Sequence, residues 1–142
     1  MDTEITKDHE GHEEGISGLA HDGPLSSQII GLAITVHREL GPGLLEAVYE
    51  ECLHVELVSA GLFTERQVPF PVVYSGRRLD AGYRADLVVE RQVLIEVKAI
   101  DRILPVHEAQ VLTYLRFSSM RVGLLLNFNT LRLKDGLRRF VR

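Results

Sequence analysis

Residues 83–99, YRADLVVERQVLIEVKA, constrain the fold more than any other stretch of the chain. Two runs dense in Val, Leu and Ile flank a polar break at Glu90-Arg91-Gln92. Short β-branched runs around a polar turn predict a buried β-hairpin, with strands over 83–89 and 93–99. Side chains alternate along a strand. That places Tyr83, Ala85, Leu87 and Val89 on one face and Arg84, Asp86 and Val88 on the other. In the second strand Val93, Ile95 and Val97 oppose Leu94, Glu96 and Lys98. A turn centred on Arg91 pairs Val89 with Val93 and brings Asp86 opposite Glu96. Directly opposed side chains have Cβ atoms ~4.5–5.5 Å apart, where like charges repel. Packing gives no reason for such a pair, but a hard divalent cation does: Mg²⁺ takes one or two carboxylates and completes its octahedron with water and phosphate oxygens. Lys98, on the same face, is placed to position a water or to offset charge on a phosphate. The plain alternative is an ion pair of Lys98 with Asp86 or Glu96 on a solvated face.

The rest of the chain supplies a scaffold for this hairpin. Residues 1–24 hold seven acids and one lysine with no apolar periodicity, and are expected to form a disordered acidic tail in which His9, His12 and His21 are incidental. Residues 25–142 are expected to form one domain. Ser26 is the expected cap of a first helix with Ile29, Ala33, Val36 and Leu40 inward, stopped by Gly41-Pro42-Gly43. A second helix is expected over about 44–60, with Leu45, Val48, Cys52 and Val55 as its inner stripe. Pro69 and Pro71 mark 63–73 as an edge strand, and Ser75-Gly76 as its turn. Pro105 opens a third helix to about Phe117. The apolar run VGLLLNF at 122–128 predicts a strand buried on both faces. The order is α, α, β, β, β, α, β, followed by a short basic tail element. It implies an α/β domain with a mixed β-sheet flanked by α-helices.

Charge and cysteine content narrow the function classes. The net charge of −4 splits into −6 for residues 1–24 and +2 for the remainder. The last eleven residues, RLKDGLRRFVR, tolerate a polyanion, though a solvated face explains this run more simply. The lone Cys52 excludes an internal disulfide and a cysteine-based zinc cluster, and fits a cytoplasmic setting. No apolar run approaches the ~20 residues that span a bilayer, so no membrane partner is expected.

Asp86 followed by Glu96-Val97-Lys98 resembles the PD-(D/E)xK nuclease signature. Gly43-Leu44-Leu45-Glu46-Ala47-Val48-Tyr49 resembles the GxxExxY pattern that names a bacterial and archaeal family within that superfamily. The resemblance runs from about Ser26 to Arg142, with Ala85 where many members have proline. It implies a restriction-endonuclease-like core and Mg²⁺- or Mn²⁺-dependent phosphodiester hydrolysis in nucleic acid, DNA before RNA. By that resemblance Asp86, Glu96 and the Val97 carbonyl hold metal, while Lys98 assists the nucleophilic water. Glu46 resembles the helix-borne acid that many of these nucleases add. It equally fits the third helical position, reaching back to backbone N–H groups with Gly43 as cap. Tyr49, one turn on, belongs more readily to the core. Gln110 and Tyr114 resemble the Gln-x-x-x-Tyr pair of the RecB-type branch, with Gln110 orienting a phosphate or a water. His37, His54 and His107 are expected to be structural. The rival reading is a catalytically weak nuclease-fold module for nucleic-acid binding or protein assembly, with a homodimer as one form.

Overall fold

A computed structural model describes residues 4–6 and 23–142. Nine elements and one short 3₁₀ turn make it up: β1 Glu4–Thr6, α1 Gly23–Leu40, α2 Glu46–Ser59, β2 Thr64–Tyr74, β3 Arg77–Val89, β4 Val93–Lys98, α3 Pro105–Ser118, β5 Val122–Asn127, the 3₁₀ turn Leu133–Gly136 and β6 Leu137–Val141. The six strands form one sheet in the order β1-β6-β5-β4-β3-β2. Only β4 and β5 run parallel; every other neighbouring pair is antiparallel. This is the expected mixed α/β sheet flanked by helices. The β4–α3–β5 crossover is the link that parallel neighbours require. β5, from the apolar run VGLLLNF, lies between β4 and β6 and is buried at all six positions.

Each face of the sheet has its own core. On one, α1 and α2 lay Ile29, Ala33, Val36, Tyr49, Leu53 and Leu57 against Leu87, Val93, Ile95, Val97, Leu124 and Leu126. On the other, α3 brings Val111, Tyr114 and Leu115 onto Val88, Leu94, Leu125 and Phe140. Gly123 is what lets α3 come this close: a Cβ there would stand 2.8 Å from Val111 Cγ1. The β2–β3 turn is Ser75-Gly76, with φ 51° and 76°, the left-handed pair that a two-residue hairpin needs. β2 is an edge strand, as its prolines require.

Several expectations need correction. α1 begins at Gly23, so Ser26 lies inside the helix and is buried rather than capping it. The buried stripe of α2 is Tyr49, Glu50, Leu53 and Leu57. Of the expected stripe, Leu45 and Val55 are 75% and 55% exposed, and Val48 and Cys52 line an open groove of about 460 Å³ between α1 and α2. The two stripes are comparably apolar, and α2 turns the one carrying Glu50 inward. In the basic C-terminal run Arg132, Lys134 and Arg142 are exposed, as a solvated face has them, but β6 pairs with β5 and Arg139 is only 2% exposed. Within the stretch expected to be disordered, Glu4–Thr6 pairs with Arg139–Val141 of β6. Residues 1–3 and 7–22, with His9, His12 and His21, lie outside the described residues.

Candidate active site

The hairpin register is the expected one. Val89 pairs with Val93, Val88 with Leu94 and Leu87 with Ile95. Glu90 and Arg91 make the turn at φ 53° and 52°, closed by Gln92 N–H donating to the Val89 carbonyl at 2.9 Å. Beyond Leu87 and Ile95 the backbone ladder stops, and side chains replace it. The Asp86 N–H donates to Glu96 Oε2 at 3.2 Å, and the Val97 N–H donates to Asp86 Oδ2 at 2.8 Å. Each acid thus binds the backbone of the other's strand, and the two carboxylates occupy one notch.

The simple alternation expected along β3 fails at this point. Leu87 and Val89 pack on the α1–α2 side. Tyr83 and Ala85 pack on the α3 side, together with Val88. The strand therefore turns over around Asp86. Its partner is irregular at the same level: Gln67, between Arg66 and Val68 in the β2–β3 register, sits at φ 51°. A left-handed non-glycine residue is uncommon and held by its surroundings. Here the Gln67 carboxamide donates to Glu50 Oε2 at 2.9 Å and to Asp86 Oδ1 at 3.3 Å. Glu50 also accepts from Arg66 at 3.2 Å.

Burial and mutual repulsion set the electrostatics. Burial raises the Asp86 carboxyl, against the Val97 N–H that favours its charge; the nearby Glu50 raises it further. Glu96 is pushed up to about 9, first by burial and then by the charge of Asp86. Burial, then Glu96 and Asp86, raises the Tyr114 phenol, which places that ring beside the acids from the α3 side. Lys98 is half-buried and follows Glu96 by two residues in β4. No ion pair joins it to Asp86 or Glu96 among the described residues, so the plain salt bridge does not account for the acids. The turn after Lys98 is pinned by buried Asn127, which accepts from Ile100 N–H and donates to the Ile100 carbonyl, each at 3.0 Å.

The other predicted residues fall at differing removes. Glu46 is exposed and is the first residue of α2, with Leu45 as cap, so neither Gly43 nor Glu46 caps the helix as expected. Its Oε2 instead accepts the Ala99 N–H at 3.3 Å, at the rim beside the end of β4. Tyr49 is core: it stacks on Phe128 at 4.7 Å, donates to the Gly41 carbonyl at 2.5 Å and accepts the Leu44 N–H at 3.1 Å. Gln110 lines a separate pocket on the α3 side with Tyr83, His107 and Thr113, and makes no hydrogen bond to the acids. His37 is structural, with Nε2 bonded to the Thr130 carbonyl at 2.8 Å. Sequence reasoning missed Glu50 and Gln67. Glu50 was findable, because it stands one helical turn after Glu46 and directly follows Tyr49. The left-handed Gln67 has no local signature.

Among the described residues, no three His, Cys, Asp or Glu side chains form a ready cation cage. What the notch offers is two carboxylates that no lysine or arginine meets in an ion pair among the described residues, with the Lys98 charge near both and the backbone of Val97 beside them. That donor set fits a hard divalent cation that keeps most of its shell as water and substrate oxygen. Comparison with known proteins agrees with this chemistry. A family model described as the PD-(D/E)XK nuclease superfamily matches residues 24–140. No curated protein and no solved structure matches the chain.

Proposed function

Because this chain belongs to the PD-(D/E)XK nuclease superfamily, we propose that it hydrolyses phosphodiester bonds in DNA, in preference to RNA, with Mg²⁺ or Mn²⁺ as cofactor. The observation that carries this reading is the pair Asp86 and Glu96, each bound to the other's strand and joined to no basic side chain by an ion pair among the described residues. A superfamily with divalent-metal chemistry accounts for a buried repulsive pair that packing alone would select against. The Gly43, Glu46 and Tyr49 pattern supports placement in the GxxExxY family.

Asp86, Glu96 and the Val97 carbonyl would hold the cation. When bound, it would lower the pKa of a water and offset charge on the scissile phosphate. Gln67 holds Asp86 in place, and Asn127 fixes the backbone that follows Lys98. Lys98, free of an acid partner, orients the attacking water and neutralises charge developing on the phosphate oxygens. The water gives a proton to solvent as its oxygen attacks phosphorus, the opposite P–O bond breaks, and the leaving oxygen takes a proton from solvent. Glu46 at the rim supports the end of β4 through Ala99. The test is cleavage of labelled single- and double-stranded DNA with Mg²⁺, Mn²⁺ or EDTA. Cleavage that requires metal supports the reading, and its absence on DNA and RNA alike overturns it.

One observation favours the assembly reading as an additional property. Leu45, Val48 and Val55 expose apolar surface on α2, with Val48 and Val55 in the open groove beside α1, the kind of surface a homodimer buries. Light scattering across a concentration series tests this. No helix among the described residues is long and apolar enough to cross a membrane, and the lone Cys52 supports a reducing cytoplasmic setting.

A further inference from the structure

The pocket on the α3 side is separate from the acid notch, and its chemistry is different. It has a volume of about 300 Å³ and is lined by Tyr83, Val106, His107, Ala109, Gln110 and Thr113. The lining holds no lysine, arginine, aspartate or glutamate, so it supplies no fixed charge to hold a phosphate or an ammonium group. One wall is aromatic. Tyr83 is half-buried, packs edge-on to Tyr114 at 5.1 Å and lies nearly parallel to Phe117 at 6.3 Å. The Tyr83 ring is thereby held in a fixed plane.

The polar groups of the lining are equally defined. His107 Nδ1 accepts the Leu104 N–H at 2.9 Å, so in the neutral ring Nε2 carries the proton and is a donor. The Thr113 hydroxyl donates to the Ala109 carbonyl at 3.0 Å and keeps only acceptor capacity. Gln110 makes no hydrogen bond to another described residue, leaving both ends of its carboxamide available. A flat aromatic wall beside donors and acceptors without net charge suits a planar, neutral, hydrogen-bonding ligand. A nucleobase is such a group. Its paired edge and both faces are engaged in a duplex, so only an unpaired, unstacked base can enter.

Position links the pocket to the notch. Tyr83 precedes Asp86 by three strand residues, about 10 Å. Tyr114 contacts Tyr83 and is near enough to Asp86 and Glu96 to be influenced by both. We propose that this pocket receives an unpaired nucleobase, stacked on Tyr83 and read by Gln110, and that the substrate is single-stranded or locally unpaired nucleic acid. The proposal rests on the nuclease reading above and deepens it by naming the substrate class.

Fluorescence anisotropy of the full chain in EDTA tests it, with three labelled probes: a 15-nucleotide DNA strand, its blunt duplex, and the strand made abasic. The wild type should bind the intact strand about ten-fold or more tightly than either other probe. Tyr83→Ala and Gln110→Ala should each lose about five-fold or more on the intact strand, as loss of a stacked or edge-bonded base implies, while Tyr83→Phe stays within about two-fold. Should Tyr83→Ala fail to fold, as circular dichroism would reveal, Gln110→Ala and the abasic probe decide. Equal affinity for intact and abasic strands, or unchanged binding by both alanine variants, overturns the pocket assignment. If metal-dependent cleavage persists in that case, the nuclease reading stands alone. No binding to any probe, with no cleavage, removes both.

Discussion

Glu96→Gln removes one ionisable carboxyl from the notch while keeping a carbonyl that can accept the Asp86 N–H. In the metal-free protein the Glu96 carboxyl is raised from 4.5 to about 9. The folded state therefore retains a proton that the unfolded chain has already lost, and stability falls as pH rises from about 4.5 towards 9. One proton corresponds to ~1.4 kcal/mol per pH unit, so at pH 7 the cost relative to pH 4.5 is at most about 3 kcal/mol. Asp86 is raised as well, and the pair shares the effect; about 2 kcal/mol is a reasonable share for removing one member. For a domain of this size that is a rise in Tm of roughly 5–10 °C for Glu96→Gln at pH 7 in EDTA. The two proteins should melt together near pH 4.5 and diverge as pH rises. Saturating Mg²⁺ should reverse the order, since a ligand at ~100 times its Kd adds ~2.7 kcal/mol to the protein that binds it. Thermal melts from pH 4.5 to 9, with EDTA and with Mg²⁺, measure all of this. A variant that melts below wild type at pH 7 in EDTA, or two curves that stay parallel with pH, would refute the reasoning.

Three further outcomes are expected. Lys98→Ala should lower cleavage about 100-fold or more while calorimetry still detects metal, because the lysine is not a ligand; undiminished cleavage would remove Lys98 from the mechanism. Glu50→Ala should cost about 1–3 kcal/mol in denaturant melts, because Arg66 and Gln67 both lose their acceptor; an unchanged midpoint would mean those bonds contribute nothing. Deleting residues 1–22 should leave a cooperatively folding domain with a slightly lower Tm, since β1 adds a three-residue pairing to β6; loss of the cooperative transition by circular dichroism would place the tail within the folding unit.

The parts of the fold that were readable from the sequence are those where pattern and burial coincide. The 89/93 pairing follows from two apolar runs around a polar turn, and β5 from a run with no polar break before Asn127. α2 misleads because Leu45, Val48, Cys52 and Val55 make as good a stripe as Tyr49, Leu53 and Leu57. Glu50 counts against the true one in any apolar tally. It turns inward because Arg66 and Gln67 await it on β2, contacts distant in sequence. The reversal of β3 at Asp86 has no glycine or proline to announce it. The site acids were legible because charge within an apolar hairpin is costly and calls for a cause. β6 was obscured by its arginines, of which Arg139 is nonetheless buried.

The central claim is that Asp86 and Glu96 together form a divalent-cation site. Anomalous diffraction from a crystal soaked in Mn²⁺ measures this most directly. The account predicts one strong peak in the notch, against both carboxylates and the Val97 carbonyl. Strong density elsewhere with none in the notch, or no bound Mn²⁺ at millimolar concentration, would contradict it.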